Sequence, residues 1–233
     1  SVDPHTHLLT TTGVLDSKFG FSIETGAAEE AVKKAMSAPN LDVMGFHFHL
    51  GSPIFELEPY TQAIDYVLEF AARMGQRHGL KMKEFNPGGG FAIGYTDEKL
   101  PPSIKEYAYH ICSAVKASCD KYGLDEPTLT VEPGRAIIGR AGVAIYQVGG
   151  IKRIPNVRVY VSVDGGMGDN IRPALYGSEY TVRRLTDPYA MPDEKVTIVG
   201  KYCESGDFLA RDIRLPIPKS GDFLCTPAAG AYA

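Results

Sequence analysis

The sequence predicts an α/β chain in which part of an incomplete (β/α)8, TIM-type barrel is followed by a β-rich C-terminal domain. Three observations predict it. Strand-like and helix-like stretches alternate through the first half. Three successive strands of that half each end in a glycine-rich or polar signature. After Arg135 the apolar pattern changes to strict alternation, as in the run Val157, Val159, Val161, Val163. The boundary between the halves is expected near residues 134–142, giving domains 1–136 and 137–233.

Taken in order, residues 25–36 have helical character, with Glu29 and Glu30 each four residues ahead of Lys33 and Lys34. Residues 43–49 form a short apolar strand. The next helix has Pro59 near its start, Ile64, Val67, Leu68, Ala71 and Met74 on one face, and Gly79 as its stop. A strand is expected over residues 81–85. Ser103 and Glu106 stand three apart ahead of an apolar run, a capping box in which each side chain accepts from the other residue's amide. Ile104, Tyr107, Ile111, Ala114, Val115 and Ser118 then recur at helical spacing as far as Gly123, and residues 128–131 form a third strand. Strand, helix, strand in this order requires parallel pairing with right-handed crossovers. Beyond it, residues 143–148, 157–163, 195–199 and 222–226 read as strands joined by Gly, Pro and Asp turns.

Composition limits the function. The 233 residues carry 24 Lys+Arg against 28 Asp+Glu, net −4, which is the wrong balance for holding a polyanion. No stretch approaches the ~20 apolar residues of a membrane span. The four cysteines, at 112, 119, 203 and 225, form no CxxC pair and no disulfide framework, so a cytoplasmic location is expected. Cys112 and Cys119, seven apart on a helix, are assigned to the core.

The strand ends carry the chemistry. The first runs into His49-Leu50-Gly51-Ser52, the second into Gly88-Gly89-Gly90, the third into Glu132-Pro133-Gly134-Arg135. In a (β/α) barrel such loops share one mouth. Three glycines can turn backbone N–H groups towards a phosphate, and Ser52 can add a donor. An imidazole can lie flat on a planar ring, and a carboxylate such as Glu132 can pair with a protonated ring nitrogen. Together these describe a site for pyridoxal 5'-phosphate. Each signal alone has a plainer reading: a tight turn, a structural histidine, a loop carboxylate. Asp164, followed by two glycines, has no second ligand at metal spacing, and no metal is expected.

The ordered motifs GFHFHLGS, NPGGGF, EPGR, DGGMGDNIRPALYG, CESGD and GAY resemble, over nearly the whole chain, the alanine racemase-like (fold type III) pyridoxal-phosphate decarboxylases. CESGD and RPALYG favour the branch acting on meso-2,6-diaminopimelate over those acting on ornithine or arginine. The resemblance implies loss of carbon dioxide at the D-configured centre and protonation to L-lysine. It implies that His49 stacks on the cofactor ring, that Glu132 holds the pyridinium nitrogen, and that Ser52, Gly88, Gly89, Gly90 and the backbone of Gly134 and Arg135 hold the phosphate. It also implies that Arg135, Arg172 and Tyr176 grip the distal carboxylate, that Glu204 faces the distal ammonium, and that Tyr232 lies near phosphate and substrate. Cys203 matches the acid that protonates the carbanion, supplied in that group from the second subunit, so a head-to-tail homodimer with shared sites is implied. The residues alone leave alternatives open: Arg172 and Tyr176 fit an exposed helical pair, and Cys203 fits a small buried hydrophobe.

Departures from that group are also legible. A complete barrel needs eight strands in about 250 residues, against three strands here. The start at Ser1 and the apolar end over residues 228–233 suggest an internal piece of a longer protein. The Schiff-base lysine of the group is expected upstream of Ser1, since Lys18, in DSKFG, lacks its context. The piece alone is therefore expected to fold poorly and to be inactive. Pro53 stands where that group commonly carries Gln, removing one backbone donor. A sister decarboxylase or a non-catalytic regulatory relative is the competing expectation.

Overall fold

A computed structural model describes residues 17–232; the Ser1 start and Ala233 lie outside the described residues. The chain divides into two compact units, one running to Ala92 and resuming over Pro101–Gly134, the other made of Ile93–Leu100 and everything from Arg135.

The first unit contains α1 (Ala27–Ser37), β1 (Gly45–His47), α2 (Glu58–His78), β2 (Glu84–Asn86), α3 (Ile104–Tyr122) and β3 (Thr128–Leu129). The strands are parallel in the order β1-β2-β3, with Phe46 opposite Phe85 and Phe85 opposite Leu129. These are consecutive β/α units, as the alternation requires. α2 carries Pro59 in its first turn, where no amide partner is lost, and stops at Gly79, whose φ of 73° suits only glycine well. α3 opens on the expected capping box, both reciprocal bonds being formed, and Gly123 ends it in the same left-handed conformation. Ile64, Leu68, Met74, Phe85 and Ile111 are buried, while Ile104, at the first turn of α3, is exposed.

Local differences from the expectation have local causes. Glu30 pairs with Lys34, but Glu29 turns to Arg77 (2.9 Å) and His78 (2.8 Å) on α2, because α1 packs its Ala28 and Val32 face against Phe70 and Met74. Cys119 is buried and faces Asp125 O in the chain leaving α3, whereas Cys112 is exposed; the buried stripe of α3 covers Ile111 alone there and is two residues wide at Ala114–Val115 and Ser118–Cys119. The strands are shorter than expected, yet pairing continues beyond them, Phe48 N donating to Asn86 O (3.0 Å) and Glu132 N to Gly88 O (3.0 Å).

The second unit is built on a six-stranded mixed sheet of β4 (Val143–Ile154), β5 (Arg158–Val163), β6 (Arg183–Arg184), β7 (Glu194–Val199), β8 (Phe208–Leu215) and β9 (Phe223–Pro227). Their order is β6-β9-β4-β5-β7-β8, with only the β5–β7 pair parallel. Two five-residue helices, α4 (Gly134–Ile138) and α5 (Arg172–Tyr176), flank it in sequence. Tyr146, Val148, Val161, Val163, Val196, Ile198, Leu209 and Leu224 form its core. β4 continues past Gly149-Gly150, which read as a turn; the register shifts between Val148 and Gly150, and Ser162 Oγ bonds both the N–H (3.0 Å) and the carbonyl (3.1 Å) of Gly150 to close the irregularity. No helix among the described residues is long and apolar enough to cross a membrane.

Candidate active site

Parallel pairing sets the segments after β1, β2 and β3 side by side, and glycine lets them touch. A Cβ on Gly88 would stand 2.4 Å from Phe48 O, on Gly89 2.1 Å from Glu132 O, and on Gly90 2.2 Å from Gly51 O. His49 and Glu132 consequently flank Gly89. The Gly89 amide donates to His49 Nδ1 (3.3 Å), Gly89 bridges to Glu132, and the buried Tyr60 hydroxyl donates to Gly89 O. Two amides of the expected phosphate nest thus have protein acceptors: Gly89 on His49, and Gly88 on Asn86 Oδ1 (2.8 Å). These two glycines serve close approach of the strand ends.

Because His49 Nδ1 accepts, the neutral ring carries its proton on Nε2. Burial pushes the His49 pKa below its ordinary value, with Glu132 pulling it up and His47 down, so the ring is neutral at pH 7. Glu132 Oε1 accepts from Asn86 Nδ2 (2.9 Å) and meets His47 Nε2 at 3.2 Å. Its other oxygen has no hydrogen bond among the described residues. A neutral flat imidazole beside a carboxylate with a vacant acceptor suits a planar, protonated heteroaromatic ring, so the donor set fits pyridoxal phosphate. Ser52 lies in the loop after β1, and Gly134 and Arg135 at the start of α4. Lys18 lies over the Phe19 ring at 4.9 Å and joins none of these groups.

The second unit gathers a separate cluster. Arg135 and Arg172 are each only 6% exposed, and their guanidinium carbons stand 5.7 and 5.6 Å from the same ring, Tyr95. Arg135 also meets the Tyr232 ring at 4.6 Å and donates to Ala231 O (3.1 Å); Arg172 meets the Tyr176 ring at 5.4 Å and donates to Ser178 Oγ (3.2 Å). Tyr180 packs edge-on against Tyr95, ring centres 5.1 Å apart. Neither arginine pairs with a carboxylate among the described residues. The Nε of each arginine and the hydroxyls of Tyr95 and Tyr180 are buried without a hydrogen-bond partner. Burial lowers the Arg135 pKa, and Arg172 lowers it further. Arg172 is therefore no exposed helical residue. Tyr95 and Tyr180 were not identifiable beforehand, since nothing in their spacing marks them.

Cys203 and Glu204 occupy the loop between β7 and β8, and both are exposed, which removes the buried-hydrophobe alternative for Cys203. The buried Asp207 carboxylate pins this loop, accepting from Met167 N (2.6 Å) and Tyr202 N (2.8 Å). Glu204 Oε1 accepts from Gly206 N (3.1 Å), and neither Cys203 nor Glu204 bonds to the arginine cluster. No group of three His, Cys, Asp or Glu suited to a metal ion stands together among the described residues.

Comparison with known proteins bears on the family and the fold. Residues 1–139 match the family model described as "pyridoxal-dependent decarboxylase, pyridoxal binding domain". The chain is 42% identical over 231 residues to proteins named diaminopimelate decarboxylase from Bacillus methanolicus and Bacillus subtilis, covering 99% of this chain and 54% and 53% of theirs. It thus spans about half the length of the curated relatives it matches. A crystal structure of diaminopimelate decarboxylase from M. jannaschii superposes with a TM-score of 0.87 at 33% identity, covering 100% of this chain and 52% of that one.

Proposed function

The chain belongs to the pyridoxal-dependent decarboxylase family, and from that premise we propose that it serves the decarboxylation of meso-2,6-diaminopimelate to L-lysine. The observation that carries the substrate assignment is the buried arginine pair. Two neighbouring guanidinium groups out of water, with only neutral acceptors beside them, need an arriving anion. Diaminopimelate brings a second carboxylate that can meet such forks; ornithine and arginine bring a second cation. The named relatives at 42% identity support the same reading.

When bound, pyridoxal phosphate supplies a protonated ring that draws off the electron pair left as carbon dioxide departs. The vacant oxygen of Glu132 would accept from the ring nitrogen and keep its proton in place. His49, neutral, would lie against the ring without adding charge. Ser52 and the backbone around Gly90, Gly134 and Arg135 would hold the phosphate, with Gly88 and Gly89 keeping the strand ends together. Arg135, Arg172 and Tyr176 would hold the far carboxylate, Tyr232 would border phosphate and substrate, and Glu204 would face the far ammonium. Cys203 Sγ would deliver a proton to the carbon that has lost its carboxylate. The proposal extends to a homodimer with shared sites and to the cytoplasm; the exposure of Cys203 and Glu204 suits delivery to a second copy, and four unpaired thiols suit a reducing compartment.

The test is an assay of the natural polypeptide carrying this sequence, loaded with pyridoxal phosphate, on meso-diaminopimelate, ornithine and arginine. L-lysine and carbon dioxide in equal amounts are expected, with kcat/KM about 100-fold or more above the other two. Preference for ornithine or arginine would overturn the substrate assignment, and turnover of none would overturn the enzymatic reading.

A further inference from the structure

The arginine cluster poses an electrostatic problem that its hydrogen bonds do not solve. Two like charges are buried around one ring, each with one neutral oxygen acceptor and an unpartnered Nε. What they share is the Tyr95 ring, within 5.7 Å of both guanidinium carbons. That lies inside the range over which an aromatic face attracts a cation. Tyr95 is itself fixed twice: Tyr180 packs edge-on at 5.1 Å, and Thr181 N donates to the Tyr95 carbonyl (2.9 Å). Its neighbour Asp97 holds Arg183 at 3.0 Å. The segment Ile93–Leu100, which departs from the sequence order of the first unit to join the second, is thereby anchored at Tyr95 and Asp97.

Resting on the substrate reading above, we infer that Tyr95 is a positioning and specificity-determining residue whose ring holds Arg135 and Arg172 at a set spacing, ready for one incoming carboxylate. The ring face offers each guanidinium a partner without neutralising it, so the pair keeps its full positive charge for the ligand. A carboxylate side chain in the same place would consume that charge. A purely aliphatic one would leave two desolvated cations to separate. The ring, not the hydroxyl, is what both arginines share: the hydroxyl makes no well-formed hydrogen bond and acts on Arg135 alone as a hydrogen-bonding group.

The test separates ring electronics from packing. Holoprotein is prepared with Tyr95, with Tyr95→Phe, and with 3,4,5-trifluorophenylalanine at position 95. The fluorinated ring keeps the shape of phenylalanine and loses its negative face. The probe is pimelate, the seven-carbon dicarboxylate without amino groups, with Kd read by calorimetry and KM for meso-diaminopimelate read alongside. The Phe variant should stay within about threefold of the unaltered protein. The fluorinated one should bind pimelate about tenfold or more weakly, with KM rising in step and kcat nearly constant. Cofactor absorbance and melting temperature should be unchanged. Equal pimelate binding by the Phe and fluorinated proteins, or no pimelate binding by the unaltered one, would overturn the inference. Absence of turnover on meso-diaminopimelate, with pimelate binding still following ring electronics, would refute the proposed reaction and leave the role of Tyr95 standing.

Discussion

At the scale of single residues, His49 shows how burial sets a protonation state. Its ring is half-buried, its Nδ1 already accepts from Gly89 N, and desolvation outweighs the attraction of Glu132. The folded-state pKa therefore lies below the ordinary 6.5. With a depressed folded pKa, the unfolded chain binds the proton more readily. Stability is fully present above 6.5 and is lost as pH falls through the lowered folded value. NMR titration should place the His49 midpoint below 6.5, and His49→Gln should flatten the acid limb of the stability curve. A midpoint at or above 6.5 would refute the account. Cofactor retention should weaken over the same window, because a charged imidazole would stand against a positively charged ring.

At the scale of elements, glycines that look alike in the sequence do different work. A side chain on Gly79 meets nothing within 4 Å and bears only the strain of φ 73°, about 1 kcal/mol. A side chain on Gly89 would strike the backbone of the segment after β3 at 2.1 Å. Gly89→Ala must spread the ends of β2 and β3, moving Glu132 away from its place beside Gly89. In urea denaturation Gly79→Ala should lose about 1 kcal/mol and keep cofactor absorbance. Gly89→Ala should lose more, about 2–4 kcal/mol, and load cofactor poorly; equal losses would contradict the close-approach account. The same contrast explains what could be read in advance. The Ser103–Glu106 capping box and the Gly79 and Gly123 stops depend on neighbours within five residues, so they were legible. β8 was not, because Arg211, Asp212 and Arg214 interrupt its apolar pattern and Asp212 has φ 53°. Glu132 and His49 were legible as candidates because parallel strands bring their ends level. Tyr95 was not, since its meaning comes from Arg135 and Arg172, forty and more residues away.

At the scale of the whole molecule, the chain places its chemistry in two units with separate cores, one around Phe70 and Met74, the other around Val161 and Ile198. The candidate cofactor groups His49, Glu132 and the glycine trio depend on the first, and the arginine cluster proposed to take the far carboxylate on the second. A ligand that binds the folded form stabilises what it touches by mass action, and local opening free energies differ along a chain. Hydrogen exchange should therefore resolve two footprints. Pyridoxal phosphate should slow exchange chiefly over residues 47–54, 86–91 and 130–134. Pimelate, added to the cofactor-loaded protein, should slow it chiefly over residues 93–97, 135–138 and 172–181. Arg172→Ala should erase the second footprint and leave the first, because the proposal gives its guanidinium to the far carboxylate and it is no part of the barrel strands. Loss of both footprints in that variant would mean that the two units do not divide recognition between them, and the assignment of far-carboxylate binding to the second unit would have to be abandoned.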